Sequence, residues 1–367
     1  MNFFNYGTIK IVKYLAFLGV FMTLLVIMPI FIMSFGNTSE SFDCGFKPIH
    51  GVWYIGWERG SYANQAVDRD LRIIKRELCA NYIALQANMY QKNRYSSDPH
   101  IDDRTVEDEI LSKAVKKVHD LGMKVVLLTP IRSDDGTWQG SIKPAELGVW
   151  FSNWEKILVH YAKFSEKYGV EVLLLGTELP TLRDEPERWK DIIKELRKYY
   201  SGELSFSVNF WTKRSQFREI LNMTQWHDLD YIGITGYFEL TPDSNPSVDQ
   251  LRGAWSSDLH GQNILEDLNK LRKKYDKPIV FWEIGYQSKN ETNTYPWDYL
   301  KHGRKDENEQ RDCWKSFLEQ IKEIEWIHGF MAFAEQVGLP EDKPGYHGYN
   351  LIGKKAERIL CEVCEAK

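Results

Sequence analysis

Short apolar segments alternate with longer amphipathic segments through residues 48–367. The apolar segments predict eight β-strands, at residues 51–57, 81–88, 124–130, 170–178, 204–210, 230–237, 278–286 and 328–335. These strands are apolar almost throughout, which is typical of a parallel sheet buried on both faces. Eight strand–helix units are the number that closes a (β/α)8 TIM barrel. We therefore predict an α/β fold of this class.

The segments between the strands carry helical periodicity. Clear examples are residues 66–78, 105–122 and 151–169, and the last predicted helix covers residues 354–364. No linker or low-complexity stretch interrupts residues 48–367. We therefore predict one catalytic domain at 48–367, preceded by a separate segment at 1–47.

Residues 14–33 of that first segment are almost wholly apolar. Twenty helical residues span roughly 30 Å, the thickness of the hydrocarbon core of a bilayer. Lysines precede this run and acidic residues follow it, so the positive-inside rule places the N-terminus in the cytoplasm. We predict a single-pass anchor preceded by a cytoplasmic stub, with an extracytoplasmic catalytic domain.

A cleaved signal peptide is the alternative for the same segment. Ser34 and Gly36 are small residues with the spacing of a cleavage site. Cleavage there would release a secreted protein, so both alternatives place the catalytic domain outside the cytoplasm.

Composition and motifs argue against several classes of partner. The chain of 367 residues has a formal net charge of -5 and no basic run, so we expect no nucleic-acid partner. It contains neither G-x-x-x-x-G-K-[ST] nor G-x-G-x-x-G, so we expect no nucleotide. No His, Cys or carboxylate cluster has the spacing of metal ligands, so we expect neither a metal nor another cofactor.

The five cysteines are Cys44, Cys79, Cys313, Cys361 and Cys364. The Cys361-x-x-Cys364 pair has no second pair to complete a zinc site, and we interpret it as two residues of the last helix. The odd total gives no disulfide framework.

Two glutamates end predicted strands. Glu178 closes the fourth strand and Glu283 closes the seventh, each after a run of apolar residues. Active sites of such barrels lie at the C-terminal ends of the strands, where strands four and seven face each other. Two facing carboxylates are what glycoside hydrolysis requires. The alternative is structural, with each glutamate paired to a nearby Arg or Lys. Because side chains alternate along a strand, we expect Trp282 to pack outward against the helices.

Six ordered stretches carry a resemblance to a known family. They are "NMYQ" (88–91), "GTWQGSIKP" (136–144), "LLLGTELPTL" (173–182), "YYSGELSFSVNF" (199–210), "DYIGITGYFEL" (230–240) and "KPIVFWEIGYQS" (277–288). Together they resemble glycoside hydrolase family 113 of clan A, known for β-1,4-mannanases. The resemblance implies a retaining hydrolase of β-linked oligo- or polysaccharides, most similar to an endo-β-1,4-mannanase.

Carried over to this chain, the resemblance makes Glu178 the acid/base and Glu283 the nucleophile of a double displacement. Retention implies carboxyl groups roughly 5–5.5 Å apart. Glu178 should have a raised pKa and Glu283 should be ionised. Tyr237, at the end of strand six, is a candidate to orient the nucleophile.

Further residues at strand ends are candidate sugar contacts. The polar candidates are Asn88, Tyr90, Gln91, Gln139 and Asn209, and the aromatic platforms are Trp53, Trp57, Trp138 and Trp211. Aromatic faces stack on sugar rings. The alternative for the polar residues is hydrogen bonding to loop backbone.

The chain departs from the family at three positions beside the cleaved bond. Thr177 stands where many clan members have Asn, Gln139 where the family usually has Arg, and Phe333 near where it has a strand-eight Trp. These changes leave the chemistry in place and put mannan as the substrate in question. Two other functions stay open, a catalytically silent glycan-binding barrel and a cell-envelope transglycosylase.

Overall fold

The computed structural model describes residues 46–340 and 347–365. The chain divides into two units, Met1–Thr38 and Ser39–Lys367, and all described residues belong to the second. The predicted membrane anchor at residues 14–33 lies outside the described residues. Within the described ranges, no helix is both long enough and apolar enough to span a bilayer.

Eight parallel strands close into a barrel, as the sequence predicts. In chain order the strands are β1 (Ile49–Ile55), β2 (Tyr82–Gln86), β3 (Met89–Gln91), β4 (Lys124–Leu128), β5 (Ile131–Ser133), β6 (Val172–Thr177), β7 (Glu203–Asn209), β8 (Tyr231–Thr235), β9 (Ile279–Ile284) and β10 (Ile327–Gln336). The barrel order is β1-β10-β9-β8-β7-β6-β4-β2, and β3 pairs with β5 in a separate short sheet. Strands β3 and β5 follow β2 and β4 directly, so they extend the barrel at its C-terminal end, which we call the mouth.

Helices follow most of the strands. They are α1 (Val67–Glu77), α2 (Asp108–Asp120), α3 (Leu147–Tyr168), α4 (Pro186–Leu196), α5 (Arg214–Leu221), α6 (Val248–Ala254), α7 (Ile264–Tyr275), α8 (Glu307–Ile321) and α9 (Ile359–Glu365), with short 3-10 turns at Ser61–Ala63, Gln139–Ser141 and Thr224–Asp228. Helix α8 begins where the Asp306 side chain accepts hydrogen bonds from the free amides of Asn308 and Glu309. Asp306 is thus the N-cap of α8, the helix that follows the loop after the Glu283 strand.

Two apolar layers stabilise the barrel. One fills its interior with side chains such as Val126, Leu174 and Met331. The other lies between the strands and the helices, where the Phe281 ring packs against Trp255 and Phe317 with centroids 6.1 and 5.2 Å apart. Burial of both faces explains why the strands are apolar throughout.

The expectation that Trp282 packs outward is wrong. Trp282 belongs to the interior layer, and its indole N–H donates to the Ser205 hydroxyl at 2.7 Å. Room for this ring comes from Gly233 on β8, where a Cβ would lie 2.3 Å from a carbon of the indole. Phe281 occupies the outward position instead.

The reason is an extra residue in β9. Val280 and Glu283 pair with Gly233 and Thr235 of β8, so three steps along β9 match two along β8. The same irregularity appears against β10. Such a bulge shifts the alternation of side chains by one position. Trp282 and Glu283 can therefore both face the inside of the barrel.

A disulfide bond joins Cys79 to Cys361, with Cα atoms 5.2 Å apart. Cys79 follows α1 and Cys361 lies in α9, so the bond ties the C-terminal helix to the start of the barrel across 282 residues. Cys361 lies in the last helix, as predicted, but the expectation that the cysteines form no disulfide framework is wrong. Spacing could not show this pairing, because the two cysteines meet only in the folded barrel. Cys313 is a buried free thiol.

We expect Cys79→Ser to lower the free energy of unfolding by about 2–4 kcal/mol, because the bond closes a very long loop in the unfolded chain. Urea unfolding of the variant beside the wild type measures this difference. The double variant Cys79→Ser/Cys361→Ser should lose no more than either single one. Additive losses from the two single changes would show that packing of each residue, rather than the cross-link, stabilises the fold.

Candidate active site

Glu178 directly follows β6 and enters the mouth through an irregular piece of backbone. From Leu174 to Thr177, three steps along β6 match two steps along β7, from Ser205 to Ser207. Glu178 itself has φ 52°, in the left-handed region. That conformation is uncommon for a residue with a side chain, and such outliers concentrate at functional sites.

Two N–H donors hold the Glu178 carboxyl group. The side-chain amide of Asn209, the last residue of β7, donates to Oε1 at 2.8 Å. The indole N–H of Trp138 donates to Oε2 at 3.2 Å. Gln139 is also hydrogen-bonded to Glu178. The carboxyl group is therefore fixed by the last residue of β7 and by side chains of the loop that follows β5.

Glu283 lies near the end of β9 and has one polar side-chain contact. The phenol of Tyr237, two residues past β8, donates to Oε1 at 2.6 Å. The Tyr237 ring packs in turn against Phe333 and Tyr349, with centroids 6.5 and 5.9 Å apart. This packing fixes the phenol, and the phenol fixes the carboxyl group.

Burial raises the pKa of both glutamates. For Glu178, burial is the largest effect, and the bonds from Trp138 and Gln139 oppose it. For Glu283, burial and then the charge of Glu178 raise the pKa to about 8, and the bond from Tyr237 opposes this. The raised pKa of Glu178 is as expected, whereas the raised pKa of Glu283 is not. The charge of Glu178 opposes ionisation of Glu283, so the two carboxyl groups titrate as an interacting pair.

The structural alternative for the two glutamates required an Arg or Lys partner for each. Within the described residues, neither Glu178 nor Glu283 forms a salt bridge, and their side-chain partners are the indole, amide and phenol groups above. An ionised carboxylate held in this way is costly in a fold. Its persistence at two facing strand ends favours a chemical role.

Two other candidates lie at the surface of the mouth. Trp138 is 52% exposed and Trp57 is 44% exposed. The Trp57 indole N–H donates to Gln336 at the end of β10 at 3.2 Å. Both rings therefore combine a fixed orientation with a free apolar surface, which a stacking platform needs.

Asn88 and Tyr90 are mostly buried beside this surface. Asn88 donates to the Trp57 carbonyl at 3.5 Å and accepts from Arg132 at 3.4 Å. The Arg104 guanidinium lies 3.7 Å from the Tyr90 ring centroid. Both residues line the mouth behind the exposed aromatic rings.

Three candidates have little or no surface for a sugar. Gln91 is fully buried and bonds the Asn93 carbonyl and the Trp150 indole. Trp211 is 1% exposed and donates to Asp267. Trp53 lies inside the barrel, donating to the Trp282 carbonyl at 2.6 Å. The position of a residue at a strand end did not reveal which way its side chain points.

The three departures from the family all lie at this site. The Thr177 hydroxyl lies 3.5 Å from that of Thr235 and is buried. Gln139 bridges Glu178 and the Ile131 amide, which donates to its Oε1 at 3.1 Å. Phe333 packs edge-on against Trp53 and Tyr349. The mouth thus keeps its polar bridge and its aromatic wall with different residues.

Sequence reasoning missed four residues of the mouth, Arg132, Trp297, Tyr299 and Tyr349. Trp297 and Tyr299 are exposed in the loop between β9 and α8. Their stretch, "YPWDYL", is rich in aromatic residues and follows the Glu283 strand. An aromatic stretch directly after the strand that carries Glu283 was the sequence signal that could have identified Trp297 and Tyr299.

No group of His, Cys, Asp or Glu suited to a metal ion occurs among residues 46–340 and 347–365.

Comparison with known proteins identifies this arrangement. The profile of Glycoside Hydrolase Family 113 matches residues 52–354, most of the chain. The chain belongs to Glycoside Hydrolase Family 113. It is a glycoside hydrolase, as the six stretches predicted. The match covers the barrel from β1 to beyond β10 and includes both glutamates.

Solved structures of the family have the same fold. A GH113 β-1,4-mannanase in a complex has TM-score 0.75 and 22% identity, over 87% of this chain and 99% of that one. The GH113 β-mannanase AaManA from Alicyclobacillus acidocaldarius, in complex with ManMIm, has TM-score 0.74 and 21% identity, over 89% and 99% of the two chains. No curated protein sequence matches the chain.

Proposed function

We propose that this family 113 protein hydrolyses a β-linked glycan with retention of configuration, as an endo-β-1,4-mannanase-like enzyme. The observation that carries the proposal is the pair of half-buried carboxyl groups at the mouth, each with a raised pKa and its own donors. Such a pair supplies the nucleophile and the acid/base of a double displacement.

Glu283 is the nucleophile of the proposed mechanism. The Tyr237 phenol fixes one carboxyl oxygen and stabilises the ionised form. The other oxygen is then the one that attacks the anomeric carbon. The reaction uses the state of the pair in which Glu178 is protonated and Glu283 is ionised.

Glu178 first gives that proton to the leaving oxygen. When Glu283 becomes esterified by the sugar, its negative charge disappears, and with it the repulsion between the two groups. The pKa of Glu178 then falls, so that it can accept a proton from the water that hydrolyses the intermediate. Repulsion between the two carboxylates thus drives the change of Glu178 from acid to base.

Mannan is the proposed backbone because the similar solved structures include β-1,4-mannanases. The exposed rings of Trp57 and Trp138 supply surfaces for sugar stacking.

We also propose that the barrel works outside the cytoplasm, held by the anchor at residues 14–33. The Cys79–Cys361 bond supports this location, because structural disulfides persist mainly in oxidising compartments.

The test of the proposed function is the configuration of the first product. Proton NMR during early hydrolysis of β-1,4-mannan oligosaccharides should show the β-anomer of the new reducing end before mutarotation. The α-anomer would indicate inversion and overturn the double displacement. Products longer than the substrate, found by mass spectrometry, would instead indicate transfer to a sugar.

A further inference from the structure

Arg132 places a positive charge at the mouth, in the short strand β5. Its guanidinium carbon lies 4.6 Å from the centroid of the exposed Trp57 ring. Its Nε donates to the Asn88 amide oxygen at 3.4 Å, a long hydrogen bond. These contacts orient the guanidinium but leave most of its five N–H donors free.

No acidic residue of the described chain neutralises this charge with a salt bridge. The two nearby aspartates, Asp102 and Asp134, are both bonded to Arg104 instead. The walls of the mouth partly desolvate Arg132, which lowers its pKa, and the Tyr90 and Tyr299 hydroxyls oppose that effect. The side chains around Arg132 are therefore aromatic and amide groups rather than carboxylates.

Arg132 is connected to the catalytic pair through its neighbour. The Ile131 amide donates to Gln139, and Gln139 is hydrogen-bonded to Glu178. On the other side, Trp57 bonds Gln336 at the end of β10. The guanidinium thus lies among residues that border the same mouth.

The loop after β9 brings Tyr299 to this place and is firmly held. The buried Lys289 donates to the carbonyls of Asp298 and Lys301, both at 2.7 Å. The Tyr349 phenol donates to the Pro296 carbonyl at 2.6 Å. The loop is therefore anchored on both sides of Tyr299 before a ligand arrives.

We propose that Arg132 binds an anionic group carried by the glycan, a carboxylate or a phosphate, and that the natural substrate is an acidic β-glycan. This inference rests on the proposed function and names its substrate class. A guanidinium binds either oxyanion through two parallel N–H bonds. Arg132 is exposed at the mouth, and its stacking on Trp57 is worth only about 0.5–1 kcal/mol at such a site, so the oriented guanidinium keeps N–H donors accessible to an anion of the substrate.

The test is a calorimetric titration of the full chain carrying Glu283→Gln, which binds without cleaving. The probes are neutral β-1,4-mannotetraose, the same tetraose oxidised at C6 to carboxylates, and the tetraose phosphorylated at C6. The anionic probes should bind about tenfold more tightly, as expected for one charge-assisted interaction in a partly exposed site. About 0.5 M salt should reduce the advantage by screening. The tighter of the two anionic probes identifies the natural group.

Adding Arg132→Gln should abolish the preference for anionic probes and leave the affinity for the neutral tetraose nearly unchanged. Arg132→Lys should keep part of the preference, because it keeps charge without the planar fork. Lys116→Gln, on the exposed face of α2, removes one positive charge elsewhere and is the matched control.

Equal affinity for neutral and anionic probes, or a preference that survives Arg132→Gln, would overturn the inference. Failure of both anionic probes to bind would do the same. None of these results bears on the retention of configuration measured with the active protein. The two proposals can therefore fail separately.

Discussion

Replacing Glu283 by Ala should reduce hydrolysis roughly 10⁴–10⁶-fold, the range found when a covalent nucleophile is removed. Added azide should restore part of the activity, because the small anion fits the space that the carboxyl group leaves. The product should then be a glycosyl azide of inverted configuration, since only one displacement takes place. NMR of the azide product and initial rates with nitrophenyl glycosides measure both effects.

The stability of a second variant, Glu283→Gln, distinguishes a catalytic role of Glu283 from a structural one. The pKa of Glu283 in the folded protein, about 8, lies above its value in an unfolded chain. Ionisation therefore costs stability, and this cost grows from about pH 4.5 to about pH 8. Above that range Glu283→Gln should be at least as stable as the wild type in thermal unfolding. If Glu283 were purely structural, its replacement would lower the stability of the protein in proportion to the loss of activity, and azide would not restore activity.

Replacing Glu178 by Ala should slow hydrolysis of unactivated glycans roughly 10²–10⁴-fold, the usual contribution of a general acid. Substrates whose leaving group needs no proton, such as nitrophenyl glycosides, should keep a fast glycosylation step. Their second step should become limiting, so that the glycosyl-enzyme accumulates. Rapid-quench kinetics with a burst of nitrophenol and mass spectrometry of the trapped intermediate measure this behaviour.

The pH dependence of a Glu178→Gln variant provides an independent readout. The charge of Glu178 raises the pKa of Glu283, so its removal should lower that pKa. The acidic limb of kcat/KM on nitrophenyl substrates should then move to lower pH. The basic limb, which reports loss of the proton from Glu178, should disappear. An unchanged profile would show that the two carboxyl groups do not interact as the structure indicates.

The matched comparison for both variants is Glu335→Gln. Glu335 is another buried glutamate of the barrel, at the end of β10, and burial raises its pKa to about 7. It accepts the amides of Leu351 and Ile352 rather than facing the catalytic pair. Its replacement should change the stability of the protein, and added azide should not change the activity of that variant.

The sequence could predict where the two carboxyl groups lie because strand-end carboxylates follow from local patterns. Glu178 and Glu283 each follow apolar runs, and parallel strands bring their C-terminal ends to one face. The position of Tyr237 two residues past β8 followed from the same rule, and the structure places its phenol on Glu283. These inferences needed only the order of the strands.

The direction of individual side chains could not be predicted in this way. Strict alternation assigned Trp282 to the outer layer, and the bulge in β9 reversed it. Trp211 was assigned to the mouth as a residue after a strand, but it packs against Phe217 and Phe238 in the core. One extra residue in a strand, or one turn after it, changes a side chain's face without any change in composition.

By itself the sequence determined that eight apolar strands would alternate with helices and that two glutamates would end opposite strands. It could do so because burial on both faces imposes a continuous apolar pattern, and a buried carboxylate interrupts that pattern visibly. Only the tertiary structure decided which residues meet across long distances in the chain. The Cys79–Cys361 bond, the Tyr237 phenol on Glu283 and the electrostatic effect of Glu178 on Glu283 all arise from closure of the barrel. Residues that are far apart in the sequence can be close together in the folded barrel, and the sequence alone does not show which ones are.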